Sequence, residues 1–557
     1  MKNYVVRERK GETLIDHLLF HRSVVSPEER ERFLNPDYEK HTHDPFLMKD
    51  MEKVVVRILS AIEKKERIAI FSDYDADGIP GAVVLHDFFK KIGHLNFENY
   101  IPDRHTEGFG LNSAALGELA KRGARILITI DCGITDTEEV ALANELGMEV
   151  IITDHHLPAQ TGLPSAFAIL NPKQSNCAYP EKMLCGSGVV FKLVQALVKR
   201  LPVPLAVGWE KWLLDMVGLA TLSDMVPLTG ENRVFAHFGL KVLRKSPRRG
   251  LSELLAVLRI NRRELTEDDI GFSISPRINA ASRMGVPMDA FRLLATSDDA
   301  EAATLAKHLD KINNERKGKV ASLVRDVRQT IEERGRRSVV VAGNPNWRPA
   351  LLGLVANSLV GDMHCPVFLW GREGGVALKG SCRSDGSVDV MVLMQEAKTV
   401  LVDFGGHREA GGFSVALEKV HLLEEELERA YEKVRAAPAS AGAACADARL
   451  SLDEVNPVLW GQIEKLAPFG TGNPKPLFFF EQVEIKRAEQ FGKEKQHLKL
   501  IFQKKNGERV SAIHFFAKPA DFSVSLGAGN RVNLLATLEN SLFGNRPELR
   551  LRIVDMV

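Results

Sequence analysis

No Cys-x-x-Cys pair occurs among the six cysteines, Cys132, Cys177, Cys185, Cys365, Cys382 and Cys445. A zinc knuckle and a disulfide framework are both unsupported, and reduced thiols are expected. Long hydrophobic runs are also missing, because the longer candidates are broken by charges such as Lys192 and Asp215, which leaves no stretch able to span a bilayer. Met1-Lys2-Asn3-Tyr4 does not open a signal-peptide pattern, so a cytoplasmic protein without a membrane partner is expected. Charge of one sign is absent too: 74 lysines and arginines face 73 aspartates and glutamates, for a net charge of +1. Nothing global therefore argues for nucleic acid, and any phosphate-binding surface has to come from local arginine and lysine groups. Core-forming residues are plentiful. With 45% hydrophobic and 26% charged residues over 557 positions, disorder is excluded and about three globular domains are expected.

The most informative pattern lies in the first third of the chain, where three apolar runs each stop on aspartate. Ile68–Phe71 precedes Asp73-Tyr74-Asp75-Ala76-Asp77-Gly78, Ile126–Ile130 precedes Asp131-Cys132-Gly133, and Val150–Thr153 precedes Asp154-His155-His156. In a parallel α/β sheet ligands gather at the carboxyl ends of the strands, so carboxylates distant in sequence can converge there. Hard oxygen ligands joined by imidazole suit Mn²⁺ or Mg²⁺.

Residues 67–171 alternate short β-branched runs with helical patterns near Pro80–Ile92, Asn112–Arg122 and Asp136–Leu146, the last opening with a Thr135-x-x-Glu138 capping-box pattern. A fourth run, Ala166–Leu170, ends at Asn171-Pro172. This alternation predicts an α/β fold with a doubly wound parallel sheet. A helical block from about Gly188 to Leu243 contains Ser223-Asp224-Met225-Val226-Pro227 and so adds Asp224 as a fourth acidic candidate. Beyond Asp298, Leu305, Leu309, Ile312, Val320, Leu323, Val327 and Ile331 form one apolar stripe of a long helix. Strand signals return at Ser338–Ala342, Val367–Trp370 and Val376–Ser381, followed by the glycine-rich loop Phe404–Gly412. This is read as a second, smaller α/β domain. The uncharged Ala436–Ala444 marks a linker. After a helix near Asn456–Leu466, runs at Pro476–Ile485, His497–Gln503, Val510–Phe516, Arg531–Leu538 and Glu548–Val554 predict a small barrel of the oligonucleotide-binding type.

An isolated Asp-x-Asp-Gly is ordinarily a turn or a helix cap, since aspartate bonds nearby amides and glycine accepts positive φ. Asp131 can be read as a cap in the same way. Asp154-His155-His156 is harder to explain structurally, because three consecutive polar residues cannot all be buried cheaply at a strand end. Three such clusters at consecutive strand ends favour a metal site.

These four motifs resemble the successive motifs of the DHH phosphoesterase superfamily, and within it the RecJ family of bacterial single-strand-specific exonucleases. Phe33-Leu34-Asn35-Pro36, His43-Asp44-Pro45-Phe46, Pro276–Met284, Gly405–Gly412 and Pro468–Pro474 are similar to signatures of the same family, so the likeness runs nearly end to end. It implies residues 1–50 as an N-terminal segment packing on the catalytic core, 51–297 as the DHH catalytic domain and 298–336 as a long connecting helix. It further implies 337–435 as the DHH-associated substrate-binding domain, 436–447 as a linker and 448–557 as an OB-fold nucleic-acid-binding domain.

The activity implied is 5′-to-3′ hydrolysis of single-stranded DNA to 5′-mononucleotides, in DNA repair and recombination. Two divalent cations, Mn²⁺ or Mg²⁺, about 3.5–4 Å apart suit the chemistry of an anionic diester. Asp75, Asp77, Asp131, His155 and Asp224 match the family's ligand positions, with Asp131 the preferred bridge. His156 is assigned to the reacting phosphate, while Asp73 and Asp154 receive supporting roles behind the ligands or in turns. Gly405, Gly406, His407 and Arg408 are expected on substrate, His407 as a transition-state contact. Ser381 and Arg383 are expected to form a phosphate-binding segment, and Arg104, Arg277 and Arg283 to supply a 5′-phosphate anchor.

In the barrel, Phe478, Phe479, Phe480, Phe491, Phe502, Phe515 and Phe516 are available for base stacking, although phenylalanine in strands is more often core. Lys504, Lys505, Arg531, Arg546 and Arg550 are expected to follow the backbone of the strand. Single-stranded DNA is the expected partner, with a single-strand-binding protein and a helicase as candidate protein partners, and a monomer is expected. Two departures stand out: Arg348 or Pro349 where the family commonly carries histidine beside tryptophan, and Ser282 where it usually carries glycine. Two other readings compete, a DHH enzyme acting on oligoribonucleotides or cyclic dinucleotides and a non-catalytic DNA-binding scaffold. The C-terminal segment weighs against the first and the intact ligand positions against the second.

Overall fold

The computed structural model describes residues 4–159, 162–335, 337–372, 378–435, 445–492, 495–522, 524–541 and 547–557. The chain divides into two compact units: residues 1–42, 227–237 and 440–557 form one, and 43–226 with 238–439 the other.

In the larger unit, five strands, Arg67–Ser72, Phe97–Tyr100, Ala124–Ile130, Glu149–Thr153 and Ala168–Leu170, form an all-parallel sheet. Their spatial order is second, first, third, fourth, fifth. The central strands are buried almost throughout, as their unbroken Ile/Val/Leu content requires of a sheet covered on both faces. The order reverses between the first and third strands, and a crevice opens at their carboxyl ends. The intervening helices are Gly78–Lys91, Ser113–Lys121 and Thr137–Glu145. The capping box expected at Thr135 does not form. Asp136 occupies the N-cap position and its carboxylate instead accepts from Leu111 N at 2.7 Å, so a loop contact distant in sequence displaces the local one.

A 36-residue helix, Asp299–Arg334, follows, with Leu305, Leu309, Ile312 and Val327 buried along the expected stripe. The second sheet of this unit runs in the order Leu401–His407, Ala410–Val415, Leu378–Arg383, Val367–Gly371, Val340–Gly343. All its pairs are antiparallel except the last, which the helix Pro349–Met363 connects. The expected start of its third strand, Val376, lies outside the described residues. The glycine-rich segment is a hairpin, not a loop: Gly405 pairs with Gly412 and Gly406 with Gly411. A Cβ on Gly406 would stand 2.4 Å from Ala410 O, so the facing strand itself demands glycine there.

The smaller unit carries a seven-stranded sheet ordered Ala448–Arg449, Phe478–Glu484, Arg531–Ser541, Glu548–Met556, Arg509–His514, His497–Gln503, Arg487–Phe491. The last of these strands carries too little apolar alternation to be expected from the sequence. Phe478, Phe480 and Phe502 are fully buried, Phe479 nearly so, and Phe516 is 76% exposed. Arg550 is engaged by Glu539, and Arg546 and most of the expected linker, residues 436–444, lie outside the described residues.

Of the N-terminal segment expected against the catalytic core, residues 43–50 belong to the larger unit, where Lys192 Nζ donates to His43 O, while residues 1–42 contribute to this smaller unit. Val5–Val6 pairs in parallel with Cys445–Ala446. Leu14, Leu18, Leu19, Val24 and Phe33 share one core with Phe480, Leu498 and Leu534. The reason is amphipathicity: two short helices with one apolar face need a cover, and the barrel's open side supplies it. The Pro468–Pro474 signature serves this junction, since Asn473 Oδ1 accepts from Arg22 Nε at 2.8 Å. Leu18→Ala is expected to destabilise the unit by about 2–5 kcal/mol, read as faster amide hydrogen exchange in strands Phe478–Glu484 and Arg531–Ser541.

Candidate metal centre

The parallel ladder carries one residue past each strand end. Asp73 N donates to Ile130 O at 3.0 Å, Asp131 N to Thr153 O at 2.9 Å and Asp154 N to Leu170 O at 3.0 Å. Main-chain pairing thus lines three aspartates along the crevice at the switch point. Asp131 adopts φ 62°, a left-handed conformation that aspartate tolerates better than most residues. Such local strain persists only where the surroundings enforce it. Gly186 leaves room for Asp131, because a Cβ there would stand 2.6 Å from Asp131 Cβ.

The first cluster is held by backbone amides. Asp75 Oδ1 accepts from Asp77 N at 2.7 Å and Gly78 N at 3.1 Å, closing a tight turn. Asp77 accepts from Gly186 N at 2.6 Å and Ser187 N at 2.8 Å, at the start of helix Gly186–Arg200, where the helix dipole favours a carboxylate. Asn279 Oδ1 accepts from Ala76 N at 2.9 Å. Sequence reasoning missed Asn279, Gly186 and Ser187 as site residues, though Asn279 stands inside the Pro276–Met284 signature.

Around this turn the remaining candidates converge. His155 Nε2 lies 3.1 Å from Asp131 Oδ1 and 3.8 Å from both Asp77 Oδ2 and Asp224 Oδ2. Asp224 caps the helix Leu214–Ser223. His156 Nδ1 is 2.8 Å from Asp154 Oδ1, which also accepts from the His155 and His156 amides, while Asp154 Oδ2 accepts from Ile134 N. Asp154 therefore acts as a bracket behind the histidines. Among the described residues, ligand atoms fall into three overlapping groups: Asp77, His155 and Asp224; Asp131, His155 and His156; and Asp73, Asp75 and Asp131. Asp131 belongs to two of them. Asp73, given only a supporting role from the sequence, stands in the third, close enough to share an ion.

Electrostatics make this cluster costly by itself. Burial and then the neighbouring carboxylates push Asp131 and Asp73 well above the usual aspartate range. The same causes raise Asp77 to about 6 and Asp224 to about 8. Burial, then His156, lowers His155 to about 3. Burial would lower His156 as well, but the hydrogen bond and charge of Asp154 outweigh it and raise that residue to about 9. Asp131 Oδ1 and Asp73 Oδ1 are buried and make no hydrogen bond of good geometry. Carboxylate oxygens without donors, beside a neutral imidazole, fit a hard or borderline divalent cation such as Mn²⁺ or Mg²⁺.

Beside the carboxylates lies a cavity of about 570 Å³, walled by Tyr74, Arg104 and Phe109 on one side and Ser381, Phe404 and Gly405 on the other. Arg104 stacks over Tyr74 at 4.9 Å, and Phe109 meets His156 edge-on at 6.0 Å. Arg283 Nη1 donates to Ala350 O at 2.7 Å, and burial beside Arg104 and Arg316 lowers its pKa to about 9. Arg277 is turned away from this cavity and held by Asp310 at 2.9 Å and Ser273 O. Arg383 Nη1 donates to Cys382 O at 2.7 Å. His407 and Arg408 are exposed at the hairpin turn, while Gly406 pairs within it. Of the substrate residues expected from sequence, Arg104, Ser381 and Gly405 line the cavity together. Ser282 is buried, its Oγ donating to Asn279 O at 3.2 Å.

Three domain families match in sequence: "DHH family, N-terminal domain" over residues 67–221, "DHHA1 domain" over 336–437 and "RecJ OB domain" over 446–555. The single-stranded-DNA-specific exonuclease RecJ of Bacillus subtilis is 33% identical, across 97% of this chain and 67% of that protein. The chain belongs to the RecJ family. The Escherichia coli RecJ exonuclease is 31% identical over 77% of each chain. The crystal structure of RecJ from Thermus thermophilus in complex with Mn²⁺ matches with a TM-score of 0.80 and 26% identity, covering 98% of this chain and 76% of that one. A RecJ crystal structure bound to manganese matches at 30% identity with a TM-score of 0.59, over 69% and 94% of the two chains. No helix among the described residues of this RecJ family member is long and apolar enough to cross a membrane.

Carboxylates with raised pKa values make the metal-free folded state bind more protons than the unfolded chain, from the ordinary value of 3.8 up to the Asp224 value of about 8. Stability is therefore lost as pH rises through that window. In chelator, the melting temperature is expected to fall between pH 5 and pH 8, and saturating Mn²⁺ to raise it by an increment that grows with pH. Differential scanning fluorimetry checks both. Gly186→Ala, by displacing Asp131, should shrink that increment.

Proposed function

We propose that the chain is a metal-dependent 5′-to-3′ exonuclease that releases 5′-mononucleotides from single-stranded DNA in repair and recombination. The observation that carries this reading is the pair of buried, donor-free oxygens on Asp131 and Asp73 within a ring of carboxylates at the switch point of the sheet. Asp77, His155 and Asp224 would hold one cation and Asp73 and Asp75 the second, with Asp131 serving both. A bound pair would offset the charge of the phosphodiester and lower the pKa of the attacking water.

The chain's own residues supply the rest. His156, whose protonated form is favoured by the hydrogen bond and charge of Asp154, would present a positive charge to the phosphate. Asp154 fixes its ring orientation, a role that outer carboxylates commonly serve at metal sites. Arg104, placed by its stacking on Tyr74, and Ser381 on the opposite wall form the polar ends of the adjoining cavity. A terminal phosphate held there would set the first phosphodiester over the carboxylates and select the 5′ end, because guanidinium recognises a phosphate by paired hydrogen bonds. Phe109 provides an apolar face beside His156 for the first base. Arg283, His407 and Arg408 are assigned to the strand that follows.

The test is digestion of an oligonucleotide labelled separately at each end, with Mn²⁺ and with chelator, beside its duplex. Labelled mononucleotide released first from the 5′ end, with the duplex spared, is the expected result; release from the 3′ end would overturn the polarity. Asp131→Ala should abolish cleavage while leaving the circular dichroism spectrum unchanged, since it removes a buried carboxylate that costs stability in the metal-free state. Arg104→Ala should lower kcat/KM for 5′-phosphorylated substrate by roughly tenfold or more, and for 5′-hydroxyl substrate much less.

A further inference from the structure

The carboxyl ends of the five parallel strands follow one another across the crevice in the spatial order of the sheet. Arg104 comes after Phe97–Tyr100 at one edge, and the carboxylates and histidines of the metal centre come after the three middle strands. Asn171-Pro172-Lys173 comes after Ala168–Leu170 at the other edge. The row of metal-binding side chains is thus flanked by a cationic residue on each side. Neighbouring strands lie about 4.8 Å apart, so Lys173 springs from a point two strands, or roughly 10 Å, beyond the Asp131 strand.

The turn that carries Lys173 is tied to the metal centre. Asn171 is fully buried, its Nδ2 donating to His156 O at 2.9 Å and its Oδ1 accepting from Lys173 N at 2.8 Å. Gln174 Nε2 closes the same turn on Ile169 O at 2.8 Å. Asparagine bonds the backbone two residues on in many turns, and here it also fixes the root of the lysine against the histidine pair.

The side chain itself has no such anchor. Lys173 is half-buried, and its Nζ makes no hydrogen bond or ion pair among the described residues. Burial lowers its pKa, against the pull of Asp224 and then Asp154, and its charge acts in turn on Asp224 and His155. Together with the anchored turn, these neighbours direct the ammonium toward the metal centre, where it stops short of pairing with any carboxylate. A lysine withdrawn from water is costly without a counter-charge. Bound cations would claim Asp224 and His155, which leaves an anionic substrate to supply that counter-charge. An ammonium is a compact donor well suited to a phosphate oxygen.

We propose that Lys173 binds the phosphate immediately 3′ of the scissile one. The inference rests on the 5′-to-3′ reading above, in which Arg104 holds the terminal phosphate and the first phosphodiester lies over the carboxylates. A strand laid that way crosses the sheet from the Arg104 edge, and its next phosphate comes to the opposite edge. Lys173 would thereby tether the strand on the far side of the bond that breaks, and keep hold of the shortened strand once the mononucleotide has left. A contact of this kind positions the strand and carries no sequence preference.

The experiment measures kcat/KM for release of the first mononucleotide by the full chain with Mn²⁺. The substrates are 5′-phosphorylated dithymidylate, the matching trinucleotide, and that trinucleotide with an uncharged methylphosphonate at its second linkage, the linkage that the dinucleotide lacks. Lys173→Gln is expected to lower kcat/KM for the ordinary trinucleotide roughly tenfold and for the dinucleotide much less, as loss of a charge-assisted hydrogen bond implies. Lys173→Arg should restore most of the loss. The methylphosphonate should cost the wild type a similar factor and Lys173→Gln little more, since both changes remove the same contact. Equal losses on the di- and trinucleotide, as a damaged fold or a contact with the scissile phosphate would give, overturn the proposal. An unchanged trinucleotide rate, or losses that add when the variant meets the methylphosphonate, overturn it too. If the wild type releases no mononucleotide from the 5′ end, the polarity reading itself fails, and the inference with it.

Discussion

Several carboxylates share a water-poor crevice, and their mutual repulsion is the constraint that the surrounding architecture has to withstand. Asp73, Asp75, Asp77, Asp131 and Asp224 come together where the strand order reverses. Burial and mutual repulsion push Asp73, Asp77, Asp131 and Asp224 toward protonation. The fold resists through rigid parts: a parallel ladder extended onto three aspartates, a helix start that grips Asp77, and a glycine at 186 that leaves room for Asp131. A bound cation would offset the repulsion, so affinity for metal would be stored in the protein as destabilisation of its metal-free state.

The same logic separates what touches the reacting atoms from what holds them. Asp154 is buried and fully engaged with amides and with His156, so it orients and charges that ring. Asn279 performs a similar task for the Asp75 turn by binding Ala76 N. Arg277, by contrast, is committed to Asp310 on the long helix and holds two helices together. Three residues of one signature thus have three different occupations: Asn279 supports the metal turn, Arg277 the packing, and Arg283 the wall near Ala350.

Much of this was legible in the residues. The run-then-aspartate pattern identified the strands and the end of the sheet where the site lies, because apolar β-branched runs and carboxylates have opposite solvation needs and meet only at a strand terminus. The apolar stripe from Leu305 to Val327 identified the long helix for a similar reason. Less legible were features set by close approach of distant segments. The glycines at 405–412 suggested a loop, whereas their pairing across a hairpin explains them by the nearness of the facing strand. The phenylalanines of the terminal domain could not be sorted by alternation alone, and burial leaves Phe516 exposed while Phe478, Phe480 and Phe502 fill the core.

By itself the sequence determined the family, the domain order and the chemical kinds of residue at the site, since motif spacing and hydrophobic period are local properties of the chain. Only the tertiary structure decided that Asp73 joins Asp75 and Asp131, that Arg104 and Ser381 face one cavity, and that the N-terminal helices complete the core of the C-terminal domain. The physical reason is common to all three. A residue's type limits what it can bind, but its partners are chosen by which strands pair and which apolar faces need cover, and those choices join segments far apart in the chain.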